Sequence, residues 1–147
     1  MYKHILVPTD GSPLSRAAII AAVKLARSVG ARVTGLFAAP AATPLVYRGL
    51  LPVGYGTPQK NAALIGKAAG RYLEVIERAA GVPCECIHVT GDFPAETIIE
   101  VAAKRKCDLI FMASHGRRGM RDVLLGSETQ KVLAGAKFPV LVYRGNS

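Results

Sequence analysis

Apolar positions along the chain follow two alternating rhythms. Short, largely apolar runs recur at "HILVP" (His4 to Pro8), "ARVTGLFAA" (Ala31 to Ala39), "CECIHVT" (Cys84 to Thr90), "CDLIFMA" (Cys107 to Ala113) and "PVLVY" (Pro139 to Tyr143). Runs of this length read as strands buried in a sheet. Between them the apolar residues recur at helical spacing. After the first run, "TDGSP" offers Ser12 as an N-cap and Pro13 at the first helical position. Leu14, Ala17, Ala18, Ala21, Ala22, Leu25 and Val29 then form one stripe, and Gly30 closes the helix. A second stripe runs through Leu64, Ala68, Tyr72, Val75, Ile76 and Ala79 and ends at Gly81. A third helix starts either with Asp92 as cap or at Phe93-Pro94 and extends to about Lys106. The fourth is "SETQKVLAGA", Ser127 to Ala136. The resulting order, β-α-β-α-β-α-β-α-β, predicts an α/β domain whose parallel sheet is covered on both faces.

One segment breaks the rhythm. "PAATPLVYRGLLPVGYGTPQKN" (Pro40 to Asn61) is rich in Pro and Gly and has no clean period, so it reads as a long irregular excursion. No internal repeat, low-complexity segment or linker appears, and 147 residues fit a single domain over 1–147.

Composition adds three constraints. Half of the residues are apolar and there is no Trp, so Ala, Val, Ile and Leu must fill the core. The formal net charge is +9, which favours an anionic partner (nucleotide, nucleic acid or acidic lipid) without choosing among them. The three cysteines, Cys84, Cys86 and Cys107, form no disulfide framework. Cys84 and Cys86 make C-x-C with no second ligand pair, so no zinc site is expected. Their period-two spacing puts both on one face of a strand, where they read as small core residues. The start "MYKHILVPTDGS" lacks the apolar region of a signal peptide, and no apolar stretch approaches ~18 residues. These features lead to an expected cytoplasmic location with no membrane insertion.

Open parallel sheets bind ligands beyond the carboxyl ends of their strands, where strand order reverses. Two strands end in chemistry-rich turns, "PTDGS" and "ASHGRRG". With strand order 3-2-1-4-5 these ends are neighbours, and Asp10 converges with the loop from Ser114 to Leu125. In that loop Gly116 and Gly119 let backbone N–H groups approach an anion, and Arg117, Arg118 and Arg121 supply charge. Gly126-Ser127 opens a helix whose first N–H groups lack internal partners. Ser127 adds a hydroxyl, and Thr129 sits just inside. An ordinary loop with Ser127 as N-cap is the competing reading. Asp10 suits a ribose or base edge, or equally the capping of its own turn.

Catalysis has less support. There is no G-x4-G-K-[ST] and no G-x-G-x-x-G after the first strand. A hydrolase needs a positioned water and usually a carboxylate-held metal, and only Asp10 and Asp122 lie near the crevice. His115 is the one histidine placed to act as a base, and it reads better as a hydrogen-bonded loop residue. No catalytic residue is assigned; slow ATP hydrolysis is the most that is expected.

The residues quoted so far resemble the universal stress protein family across essentially the whole chain: "HILVPTDGS", "CDLIFMASHGRRGMRDVLLGS" and "PVLVYR". The nucleotide-binding branch of that family carries G-x2-G-x9-G-[ST]. Here the pattern is met by Gly116, nine residues from Arg117 to Leu125, then Gly126 and Ser127. Ala113 stands where the first glycine belongs. The resemblance implies a three-layer α/β sandwich of the Rossmann-like, adenine nucleotide alpha hydrolase-like type, with five parallel strands in the order 3-2-1-4-5. It implies ATP, ADP or AMP as ligand, with or without magnesium. The contacts would fall on Pro8, Thr9, Asp10, Ala38, Met112, Ala113, Gly116, Gly126, Ser127, Glu128 and Thr129, with Arg117 beside them. Glu128 is unexpected in an anion site unless its carboxylate points away. The resemblance also implies a homodimer through strand 139–143 and a stress-response role with an unknown protein partner. A nucleotide-free interaction module of the same fold is the alternative. Specific nucleic-acid binding has only the net charge behind it, because the basic residues are scattered.

Overall fold

The computed structural model describes residues 2–39, 58–79, 81–91, 93–115 and 125–145. Among these residues five strands, β1 (His4–Thr9), β2 (Arg32–Ala39), β3 (Cys84–Thr90), β4 (Leu109–Ala113) and β5 (Val140–Tyr143), alternate with four helices. The helices are α1 (Pro13–Val29), α2 (Pro58–Ala79), α3 (Pro94–Lys104) and α4 (Ser127–Gly135). The strands form one parallel sheet in the order β3-β2-β1-β4-β5.

Strand alternation divides the core between the two sheet faces. Ile5, Val7, Val33, Phe37, Leu109 and Phe111 pack with Ala18, Ile19, Ala22 and Val23 of α1 and with Leu73 and Ile76 of α2. Leu6, Leu36, Ile110 and Met112 point the other way, onto Ala95, Ile98 and Ala102 of α3 and Val132 of α4. Alanine on the helices lets them approach the sheet closely. Helix α2 comes close at Gly35 of β2: a Cβ built there would run into Ile76 Cδ1 and come within 3.4 Å of Leu73.

Local signals set the first helix as read. The Ser12 hydroxyl accepts from Ser15 N at 3.2 Å, Pro13 is the first helical residue, and Gly30 ends the helix at φ 73°. Elsewhere the boundaries shift, for identifiable reasons. Strand β1 runs one residue further, to Thr9. Helix α2 begins at Pro58, so the last four positions of the supposed excursion, 58–61, are helical; proline is well suited to a helix start. Residues 40–57 lie outside the described residues, as does the candidate cap Asp92. Helix α3 stops at Lys104, because Lys106 adopts φ 57° and turns the chain back towards the sheet. Strand β4 starts only at Leu109. Asp108 before it accepts hydrogen bonds from Lys3 N (2.9 Å) and His4 N (3.0 Å), a side chain pairing with backbone at the strand's entrance. The two cysteines of β3 depart from the core reading. Cys86 is half-buried against Leu73, but Cys84 is exposed, because β3 is an edge strand.

Candidate functional site

Strand order reverses between β1 and β4. The two are paired only through Ile5–Leu109 and Leu6–Ile110, although both continue towards their carboxyl ends. Beyond Leu6 and Ile110 they are no longer laddered, and this switch point is the candidate crevice, the place where such a sheet admits a ligand.

The β1 wall is held by its own side chains. The Thr9 hydroxyl accepts from Gly11 N at 3.1 Å and lies 3.0 Å from the Ser15 hydroxyl; Thr9 and Ser15 are both buried. Gly11 takes φ 81°, a turn in which a side chain would be strained. Asp10 is partly exposed and accepts from Ser12 N at 2.9 Å. It therefore performs the turn-capping role open to it. Pro8 is buried, and Ala38 at the end of β2 is partly exposed.

The β4 wall is tied to the start of α4. Gly126 N donates to Ser114 O at 2.6 Å. The Thr129 hydroxyl donates to Ala113 O at 3.0 Å and to Ser114 O at 3.2 Å. Ser114 in turn donates its N–H to Tyr143 O at 2.8 Å, which fixes it to β5. Its hydroxyl lies 3.0 Å from His115 Nδ1. Ser114 and Thr129 are both nearly inaccessible to solvent, so these bonds are sheltered from water. The result is a helix whose N-terminal N–H groups are held at the mouth of the crevice, where its dipole favours an anion.

Gly126 is the N-cap of α4 and Ser127 its exposed first residue, so Ser127 is not the cap of the competing reading. The Gly126 N–H is already committed to Ser114, and the Thr129 hydroxyl is committed to β4. What these positions offer a ligand is the main chain from Ser127 onward and the Ser127 hydroxyl. Glu128 has a different destination. Its carboxylate accepts from Ala95 N at 3.0 Å and meets Lys131 at 3.3 Å. Helix α3 has Phe93 as N-cap and makes no side-chain cap of its own. Glu128 from the neighbouring helix supplies the missing acceptor, so its charge is spent on the α3 N-terminus.

Ala113 lies in regular strand, and Lys106 is the only non-glycine with positive φ among the described residues. Its methyl group belongs to the core on the α1 side. Alanine at this motif position therefore carries no backbone strain. Met112 packs into the opposite face. Gly116 and Arg117 lie outside the described residues, together with Arg118, Gly119, Arg121 and Asp122. Sequence reasoning took Ser114 as the first residue of the ligand-facing loop, yet it is the junction of β4, β5 and α4. Its position directly after a buried strand was the available signal.

A doubly wound parallel sheet with a glycine-capped helix at its switch point defines a Rossmann-like α/β domain. The universal stress protein family model matches residues 1–144, and the chain belongs to that family. A universal stress protein of Methanocaldococcus jannaschii, MJ0531, is 33% identical over 147 residues, covering 98% of this chain and 83% of the relative. The solved structure of the protein MJ0577 superposes with a TM-score of 0.80 at 26% identity, covering 100% of this chain and 99% of that one. Two solved structures of the same fold are nucleotide complexes. A universal stress protein with cAMP has a TM-score of 0.68 at 22% identity, covering 99% of this chain and 98% of that one. One from Archaeoglobus fulgidus with dAMP has a TM-score of 0.66 at 20% identity, covering 97% and 98%.

Proposed function

We propose that this protein binds an adenine nucleotide, as ATP or a related form, in the crevice between β1 and β4, and acts as a dimeric stress-response regulator. The observation that carries the reading is the anchored α4 N-terminus. Hydrogen bonds from Gly126 and Thr129 to the end of β4 would present the main-chain donors from Ser127 onward at the mouth of the switch point. Such donors suit phosphate oxygens. Pro8, Thr9, Asp10 and Ala38 form the opposite wall, where an adenine and its ribose would lie, and Asp10 is the natural partner for a ribose hydroxyl. The cAMP and dAMP complexes share the fold at low identity, so this reading rests on the residues of this chain. Magnesium would enter with the phosphates. The residues assembled at the crevice bind and orient; no side chain is assigned a chemical step.

Titration calorimetry with ATP and magnesium tests the reading. The parent should bind with one site. Gly126→Val should abolish binding while leaving the circular dichroism spectrum intact, and Asp10→Ala should weaken binding less. Undiminished ATP binding by both variants would show that the site lies elsewhere. Mass spectrometry of nucleotide released from the denatured protein would identify the natural ligand. The proposed dimer uses β5, an edge strand with Leu141 exposed, and pairing with a second copy would cover that edge. Light scattering should give twice the chain mass.

One observation favours the nucleotide-free interaction module: Gly126 N–H, a motif donor, is already satisfied by Ser114. Absence of heat with ATP, ADP and AMP alike would select that reading.

A further inference from the structure

The nucleotide crevice leaves one chemically distinctive pair of side chains unused. Cys84 and Cys86 lie on the same face of edge strand β3, and their sulfurs are 3.9 Å apart. Cys84 is exposed and Cys86 half-buried. We propose that this thiol pair is a chelating site for a single thiophilic metal ion of low coordination number, taken as Cu(I).

The spacing supports chelation. Two thiolates each ~2.3 Å from a common metal, the usual zinc–thiolate distance, and 3.9 Å from each other subtend about 116° at that metal. That angle lies between tetrahedral and trigonal, so both sulfurs can engage one ion with little movement of the strand. A disulfide is less well served. Residues two apart on an extended strand have Cα atoms roughly 6.6 Å apart, at the upper end of disulfide geometry, so closing the bond would strain β3.

The donor set selects the ion. Among the described residues no group of three or more His, Cys, Asp or Glu side chains is arranged around a common point. Structural zinc calls for four ligands, whereas a soft thiolate pair suits Cu(I). A low-molecular-weight thiol from solution would complete its coordination. The surroundings favour a cation. Glu77 on α2 places negative charge by Cys84, in a chain whose net charge is +9, whereas Glu85 is ion-paired with Arg105. Binding of the ion releases the thiol protons to solvent, with no change in oxidation state.

The test uses the reduced full-length protein under anaerobic conditions, titrated with Cu(I) held by a chromogenic chelator. The parent should withdraw one equivalent from the chelator. Cys84→Ser and Cys86→Ser should each lose at least tenfold in affinity, and Cys107→Ser should compete as the parent does. Cys84 is exposed on an edge, so its variant keeps the fold. No withdrawal by the parent would overturn the proposal, and so would equal affinity in the Cys84 variant. A thiol count showing Cys84 and Cys86 joined by mild oxidation, with no copper bound by the reduced form, would also overturn it in favour of a redox pair. None of these readouts depends on nucleotide binding.

Discussion

Thr129→Val isolates what holds α4 against the sheet. Valine keeps the shape of threonine and removes only the hydroxyl, which donates to Ala113 O at 3.0 Å and Ser114 O at 3.2 Å. Ser114 O retains Gly126 N as a donor at 2.6 Å, so Ala113 O is the acceptor left poorer. The site is 3% exposed, and water cannot readily replace the lost donor. The net loss of a hydrogen bond, with part of the penalty for an unsatisfied buried acceptor, comes to about 2 kcal/mol. For a domain of this size that lowers Tm by roughly 6 °C. Thr129→Ser provides the counterpart: it keeps the hydroxyl, loses one methyl group and should cost only ~1 kcal/mol. Urea unfolding with an unchanged slope gives both values from the midpoints. If the serine variant proves as damaging as the valine variant, then side-chain packing, not hydrogen bonding, anchors the helix, and the account of the crevice given above is wrong.

Three further outcomes follow from the same contacts. Gly35→Val drives a side chain into Ile76 and Leu73 and should destabilise the fold by about 1–3 kcal/mol in urea; an unchanged midpoint would mean that α2 packs further from β2. Glu128→Ala leaves Ala95 N without its acceptor and should cost about 1 kcal/mol, the scale of a lost N-cap, with a fall in Tm as the readout. His4 is buried with its Nε2 2.6 Å from the Thr34 hydroxyl, and burial first, then the Arg32 charge, lowers its pKa below the ordinary value. The unfolded chain then binds the extra proton more readily, so this contribution to stability is complete above about pH 6.5 and is lost as pH falls through the folded value. Urea midpoints at pH 7.5 and 5.5 should show the parent weakening on acidification more than His4→Gln does; parallel profiles would remove His4 as the cause.

Much of the architecture could be read locally. The first helix needed only Ser12, Pro13 and Gly30, because capping and chain reversal are decided within a few residues. The alternation of strands and helices followed from apolar period, and parallel pairing followed from the helical crossovers. The turns after β1 and β4, together with the spacing of Gly116, Gly126 and Ser127, pointed to the proposed ligand site between those two strands. The universal stress protein resemblance supplied the strand order that made those turns neighbours. The sequence by itself therefore determined the kind and order of the elements, and with the family resemblance it determined which two turns share the switch point; several element ends were set only by the folded chain.

Partners distant in the chain were decided only by packing. Nothing near Glu128 in sequence indicates that its carboxylate caps α3, which lacks a capping side chain at Phe93. Thr129 and Ser114 showed no sign of bonding each other across 15 residues. Cys84 and Cys86 share a face, as their spacing requires, but period cannot tell an edge strand from a central one. That depends on where β3 falls in the sheet, and the order decides that one thiol meets solvent. Periodicity records which way a side chain points from its own element; what it meets there is set by the neighbours that tertiary folding brings alongside.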